Sequence, residues 1–172
     1  MISFGIIHLD PSDVHFAKSI IRGSGAFVVD TRKHRNPDSV VIFSSSKKDF
    51  NEVIESISER ISSISRVSEI RNIRPVVIDS INPESFELPK NIHTGIFESA
   101  NLEVIISSAN AISMLDEVTI IQIILSGNSN KNSRLILAGD EKSVDESINT
   151  AIAINRSTGR VIEKYERENR SQ

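Results

Sequence analysis

The stretch RLILAGDEKSVDESINTAIAI, from Arg134 to Ile154, repeats the pattern of an earlier stretch, VVIFSSSKKDFNEVIESISER, from Val40 to Arg60. Each begins with a short, nearly continuous apolar run, passes through a corner of small residues, and continues into a charged segment with an acidic first turn. A short apolar run that ends at small residues is typical of a buried strand, and apolar residues every three or four positions predict a helix. The two stretches therefore predict the same strand-to-helix unit at two places in the chain.

The pattern extends on both sides of the earlier stretch. FGIIHLD is a β-rich run that ends at an Asp-Pro turn signal, and Ser12 or Asp13 is suited to cap a helix that Gly23 and Gly25 can end. The first half thus predicts a strand at 4–10, a helix at 12–23, strands at 26–31 and 40–44, and a helix at 49–64.

The second half predicts the same elements in the same order. They are a strand at 94–99, a helix at 102–115, strands at 118–126 and 134–139, and a helix at 140–154. The offset between halves is 90 residues at Gly5 and Gly95, 92 at Val28 and Ile120, and 94 at Ile42 and Ile136. Two residues are therefore added in each of two connections, where loops tolerate insertion.

The fold class expected from this order is α/β (α+β), a tandem repeat of two ferredoxin-like strand–helix–strand–strand–helix units with antiparallel sheets. One unit of this size buries only a marginal core, and two units side by side remove that problem. The predicted organisation is a first domain at 1–66, a connector at 67–92, a second domain at 93–156 and a charged tail at 157–172.

Composition excludes several classes of function. The chain has 172 residues, of which 38% are hydrophobic and 25% charged, with a net charge of −3, as expected of a globular domain rather than a nucleic-acid-binding one. No apolar run approaches the roughly 20 residues that span a bilayer, and the N-terminal residues lack the pattern of a signal peptide. A cytoplasmic location is expected. The absence of cysteine excludes disulfides and cysteine-held iron–sulfur clusters.

Several stretches resemble the bacterial microcompartment shell proteins, specifically those with two tandem shell domains. In the second half these stretches are GIFES (95–99), SANAISMLDEVTI (108–120) and ILAGDEKSVDES (136–147). In the first half, FAKSIIRGSGAFVVD (16–30) stands in the same register. The connector IRNIRPVVIDSINPESFELPK (70–90) is similar to that of the propanediol-utilisation type, although this chain lacks the iron–sulfur cysteine of that type.

The resemblance implies a structural protein rather than an enzyme. Three chains would form a homotrimer, a flat pseudohexameric tile with a central pore, and tiles would join other shell proteins edge to edge around encapsulated enzymes. No cofactor, metal, nucleic acid or membrane partner is expected. His34, repeated three times around the axis, is the one residue whose imidazole would suit zinc or copper.

The resemblance also assigns residues to the pore and to the tile edge. Arg22 and Met114 match the edge position at the end of the first helix of each unit. The pore loops lie between the two hairpin strands, and their residues are Lys33, His34, Arg35 and Asn36 in the first half and Gly127, Asn128, Ser129 and Asn130 in the second. A ring of cations concentrates anions, so we expect small anionic metabolites to pass through the pore.

Two other functions remain open at this point. A trimeric ferredoxin-like protein that binds or senses a small ligand would have the same elements, with a ligand cleft between subunits. A small enzyme of the same architecture would need a convergent polar cluster, which the sequence does not show.

Overall fold

The computed structural model describes residues 2–33, 39–81, 92–126 and 132–169. Its strands are β1 (Ile2–Leu9), β2 (Phe27–Lys33), β3 (Ser39–Ser46), β4 (Arg66–Arg71), β5 (His93–Ser99), β6 (Val118–Ile124) and β7 (Ser133–Gly139). Its α-helices are α1 (Val14–Gly23), α2 (Lys47–Ser58), α3 (Pro75–Asp79), α4 (Leu102–Ile112) and α5 (Glu141–Asn169), and a 3-10 turn at Pro11–Asp13 precedes α1.

The strands form two antiparallel sheets that repeat the same order. The first sheet has the order β2-β3-β1-β4, and the second has β6-β7-β5. Gly5 pairs with Phe43 in the first sheet, and Gly95 pairs with Leu137 in the second. The two glycines are 90 residues apart and their two partners are 94 apart, so the pairing agrees with the offsets read from the sequence. Both hairpins also carry a bulge at the same place, at Val29 in one and at Ile121 in the other. The predicted fold class is confirmed.

Glycine is required at the two aligned positions because the neighbouring side chain fills the space of a Cβ atom. A Cβ on Gly5 would lie 2.2 Å from the Phe43 ring, and one on Gly95 would lie 2.5 Å from Val144 Cγ1. Real Cβ atoms do not approach so closely, and interiors packed to crystal density leave little room for the neighbour to move. The shared glycine is therefore a packing requirement of both halves.

The second helix is shorter than predicted. The apolar spacing extends to Ile64, but α2 ends at Ser58, and its last turn closes with the Glu59 N–H donating to the Glu55 carbonyl. Serines crowd the sequence beyond this point and compete with the helix for backbone hydrogen bonds. Ile61 still reaches the core through the following turn and is 4% exposed.

A fourth strand corrects the interpretation of the connector. The sequence pattern places residues 67–71 in the connector, but with Arg66 they form β4 and pair with β1 along Ser3–His8. The strand is polar and only partly buried because it lies at the edge of the sheet. Its sequence, RVSEIR, therefore lacks the apolar run that identifies the other strands.

The last helix is longer than predicted. The apolar spacing ends at Ile154 and predicts a charged tail at 157–172, but α5 continues to Asn169. Each added residue of an existing helix gains one backbone hydrogen bond without a new nucleation step, so a charged segment can extend it.

The core consists of two apolar clusters. One lies within the first half, between α1, α2 and one face of the first sheet, and includes Ile7, Val41 and Phe43. The other spans both halves and joins Phe4 and Ile42 of the first sheet to α4, α5 and the second sheet. No helix of the described residues combines the length and apolar character needed to cross a membrane.

Candidate functional site

The contact between the two halves shows which surfaces of this fold associate. Each sheet carries the helices of its own half on one face, and the opposite face is called its outer face here. On the first sheet the outer face holds Phe4, Ile6, Val40 and Ile42, each 0% exposed. These residues belong to the same cluster as the side chains of α4. The helix α4 is therefore packed between its own sheet and the outer face of the other half.

A partly buried polar cluster fixes the first turn of α4 on the first sheet. Asn101 caps the helix by accepting hydrogen bonds from the N–H groups of Glu103 and Val104. Oε1 of Glu103 lies 3.0 Å from Nη2 of Arg66, 3.8 Å from Nε2 of His8, and accepts a 2.9 Å hydrogen bond from Ser68. The carboxylate is 14% exposed, so these partners replace most of its water.

The environment of Glu103 strongly favours its charged form. Burial, the largest single influence, acts to raise the pKa, but the His8 imidazole, the backbone, the Arg66 charge and the Ser68 hydroxyl together lower the pKa from 4.5 to about 2. The negative charge also lies in the first turn of α4, where the helix dipole favours it. Glu103 is thus held as an anion between the two halves.

The connector fixes the other end of α4. The side-chain oxygen of Asn110 accepts a 3.0 Å hydrogen bond from the Arg74 N–H, and its amide donates to the Asn72 carbonyl at 3.3 Å. The Arg74 guanidinium donates to the Ser113 carbonyl. Asn72 has φ 59°, a left-handed conformation that asparagine tolerates better than most residues. Both ends of the helix are therefore bound to the first half and its connector.

The outer face of the second sheet is exposed along β5, although Ile136 of β7, opposite Ile96, is only 7% exposed. Ile96 occupies the position of Ile6, 90 residues later, and is 57% exposed where Ile6 is fully buried. Glu98 occupies the position of His8 and pairs with Arg134 at 2.6 Å across the strands. An exposed isoleucine thus lies beside a charged pair on this face.

The matching face of α1 is also uncovered. Asn110 of α4 contacts the connector, and Ser107 lies three residues before it in the same helix. The matching positions of α1 hold Lys18, which is partly exposed, and His15, which is exposed. In the internal contact the strand supplies an imidazole and the helix a carboxylate. In these uncovered surfaces the strand supplies the carboxylate of Glu98 and the helix the basic side chains. Glu98 is paired with Arg134, so the outer face carries both signs of charge opposite these basic side chains.

The predicted pore residues mostly lie outside the described residues. These are His34, Arg35, Asn36, Gly127, Asn128, Ser129 and Asn130, together with the side chain of Lys33. The strand ends that carry the loops are described. Lys33 pairs with Ser39, and the Ser126 N–H donates to Ser133 Oγ at 3.0 Å. Both loops thus connect the equivalent pair of strands in their sheets.

The predicted edge residues occupy equivalent exposed positions. Arg22 lies in the last turn of α1, and Met114 lies two residues beyond α4 and is 58% exposed. Within the described ranges, no group of three or more histidine, aspartate or glutamate side chains is placed to hold a metal ion.

Comparison with known proteins identifies the fold. No known family profile and no curated protein sequence matches the chain. A microcompartment protein from Desulfitobacterium hafniense DCB is similar over 92% of this chain and 89% of its own, with a TM-score of 0.79 and 15% sequence identity. The regulatory subunit of aspartate kinase from Thermus thermophilus is 13% identical over 89% of this chain and 91% of its own, but its TM-score is only 0.33. This chain therefore has the fold of a microcompartment protein.

Proposed function

We propose that this chain is a structural shell protein of a bacterial microcompartment, of the type with two tandem shell domains. One observation carries the proposal. Ile96 is 57% exposed at the position where Ile6 is buried by the neighbouring half. The chain thus makes one contact of a repeating kind internally and leaves the second contact of that kind unmade.

A second copy of the chain completes the unmade contact. Its α1, with His15 and Lys18, takes the place on the outer face of the second sheet that α4 takes on the first. This contact is head-to-tail, and such contacts close into rings when the rotation allows. Because each chain supplies two equivalent halves, a ring of six halves needs three chains. The product is a homotrimer with pseudo-sixfold symmetry, a flat tile of a shell.

The pore of this tile is built from the hairpin loops. Three copies would bring Lys33, His34 and Arg35 around one axis, with the polar residues Asn128, Ser129 and Asn130 from the alternate loops. Repeated cations at a narrow opening concentrate anions and repel cations. The pore therefore passes small anionic metabolites.

The role is structural, not catalytic, and the location is the shell of a microcompartment in the cytoplasm. Other shell proteins are the partners at the tile edges, through Arg22 and Met114, and encapsulated enzymes are the partners on the inner face.

Imaging of the purified protein by negative-stain electron microscopy tests the tile, and the expected particles are flat and six-sided with a central hole. For the pore, anion uptake into assembled shells is compared between the wild type and K33E/R35E. The expected result is slower uptake in the variant. Unchanged uptake in intact shells would refute the anionic pore while leaving the tile in place.

A second candidate, a trimeric ligand-binding protein, is favoured by one observation. A groove of about 440 Å³, lined by both polar and apolar groups, lies at the base of the second loop, beside the outer face of the second sheet. Its lining includes Glu98, Asn101 and Asn155. A saturable change in melting temperature with a small metabolite, in protein that forms no sheets, would favour this candidate.

A further inference from the structure

A groove beside the predicted edge residue Met114 combines exposed apolar side chains with carboxylates. It has a volume of about 350 Å³, and its lining residues are Met114, Leu115, Asp116, Glu117, Val118, Ser143 and Glu146. Met114 and Leu115 are 58% and 45% exposed. The groove therefore presents two adjacent, large apolar side chains to solvent.

The groove is acidic. Among the described residues it is lined by three carboxylates and no basic side chain. Glu146 lies 3.8 Å from the exposed Lys142, and Glu117 accepts a 3.0 Å hydrogen bond from Ser143. In the part of the chain that the structure describes, Asp116 and Glu117 form no ion pair. The groove is therefore suited to an elongated side chain with an apolar stem and a positive end.

The same place on the first half presents such a side chain. The offset of 92 puts Arg22 in the place of Met114, and Ser24 and Gly25 in the places of Asp116 and Glu117. Arg22 is exposed at the end of α1 and, in the described residues, forms no ion pair. Asp49 and Glu52 correspond to Ser143 and Glu146, so the first half is mixed in charge rather than purely basic. Arg22 nevertheless lies on the first half at the position where the second half has its groove.

We propose that the chains join edge to edge with unlike halves in contact, Arg22 of one copy entering the Asp116–Glu117 groove of another. The inference rests on the proposed tile, whose edges bring these surfaces of neighbouring copies together. Pairing of like halves would set carboxylates against carboxylates and Arg22 against Arg22, and like charges in contact oppose association. Pairing of unlike halves buries Met114 and Leu115 against the arginine stem. The occupant of the groove is therefore a second copy of this chain.

Disulfide trapping tests the pairing directly, because the wild-type chain has no cysteine. Trimers of R22C and trimers of E117C are prepared separately, assembled alone or mixed, and oxidised. Unlike pairing predicts cross-linked pairs of trimers only in the mixture. Cross-links in R22C alone or in E117C alone, without a gain on mixing, would overturn the inference.

A charge exchange gives a second, independent readout. The variants R22E and D116R/E117R are each expected to raise the protein concentration at which sheets form by about tenfold, since attraction becomes repulsion at every edge. The triple variant R22E/D116R/E117R restores complementarity between unlike halves and is expected to restore sheets. Failure of the triple variant to recover sheets, with its trimer intact, would contradict unlike pairing. If the wild-type protein formed no trimer, the proposed tile and this inference would both be wrong.

Discussion

Glu103 is the residue that most clearly depends on both halves of the chain. Its carboxylate belongs to α4, but its partners His8, Arg66 and Ser68 belong to β1 and β4. Burial alone would raise the pKa of this carboxyl group, whereas its partners lower that pKa to about 2. The charge of Glu103 is therefore a measure of whether the two halves are docked.

The lowered pKa predicts how stability depends on pH. A carboxyl group with a lower pKa in the folded than in the unfolded chain stabilises the fold above its unfolded pKa, near 4.5. That contribution, at most about 3 kcal/mol, is lost as the pH falls toward 2. Chemical denaturation between pH 7 and pH 2.5 measures it. The variant E103Q is expected to be less stable at pH 7 and to show a smaller change in stability between pH 7 and pH 2.5. The control is E55Q, on the exposed face of α2. An E103Q profile as steep as that of E55Q would contradict the role of Glu103.

Gly95 predicts a second effect at the scale of one residue. A Cβ atom there would lie 2.5 Å from Val144 Cγ1, so G95A is expected to lower the free energy of unfolding by about 1–3 kcal/mol through overpacking. At Gly23 a Cβ atom would have no heavy atom of another part of the chain within 4 Å, and G23A is expected to be neutral or slightly stabilising. Urea denaturation of both variants makes the comparison. Equal stabilities of the two variants would show that α5 shifts at Val144 to make room for the added Cβ atom, and would contradict the packing requirement at Gly95.

The sequence alone predicts some of these relations and not others. The offset between halves aligns Gly5 with Gly95 without any knowledge of packing. The contact of Glu103 with His8 was not predicted, because the two residues belong to different halves and neither lies in a recognisable motif. Only the docking of the halves brings them together.

At the scale of elements, two strands at the same place in the repeat have different apolar patterns. The strand β1, ISFGIIHL, is apolar on both faces, as expected of a strand covered on both sides. The strand β5, HTGIFES, buries Phe97 but exposes Ile96 and Glu98. The apolar pattern of each strand therefore indicates whether one or both faces of its sheet are covered within a single chain.

A matched pair of substitutions tests this difference. I6D puts a charge into the core between the halves and is expected to destabilise the chain by more than about 3 kcal/mol. I96D puts the same charge at a position 57% exposed, and is expected to leave the circular dichroism of the chain unchanged while dissociating the trimer. Analytical ultracentrifugation and circular dichroism on both variants give the result. A trimer that survives I96D would refute the proposed contact on the outer face.

Element prediction succeeded where the apolar period was strong and failed where it was weak. The strands and helices of the repeat lie at the predicted places to within a few residues, apart from the ends of α2 and α5. The strand β4 was missed because an edge strand needs pairing on one side only and its residues remain half exposed. The long α5 was missed because its last part carries no apolar stripe that predicts packing.

At the scale of the whole molecule, the two halves are equivalent in fold but not in surface. The first half is covered on its outer face and has Arg22 at its edge, whereas the second half exposes Ile96 on its outer face and has an acidic groove at its edge. Composition and order predicted the repeat, and the docking of α4 on the first sheet required the structure. These differences make every proposed contact of the molecule a contact between unlike halves.

The mass of the assembled protein tests the central claim most directly. Native mass spectrometry at moderate salt measures it without labels or partners. The proposed ring predicts a dominant species at three times the 19.1 kDa chain mass. A stable monomer or dimer would leave Ile96 uncovered, remove the ring that forms the pore, and contradict the proposal.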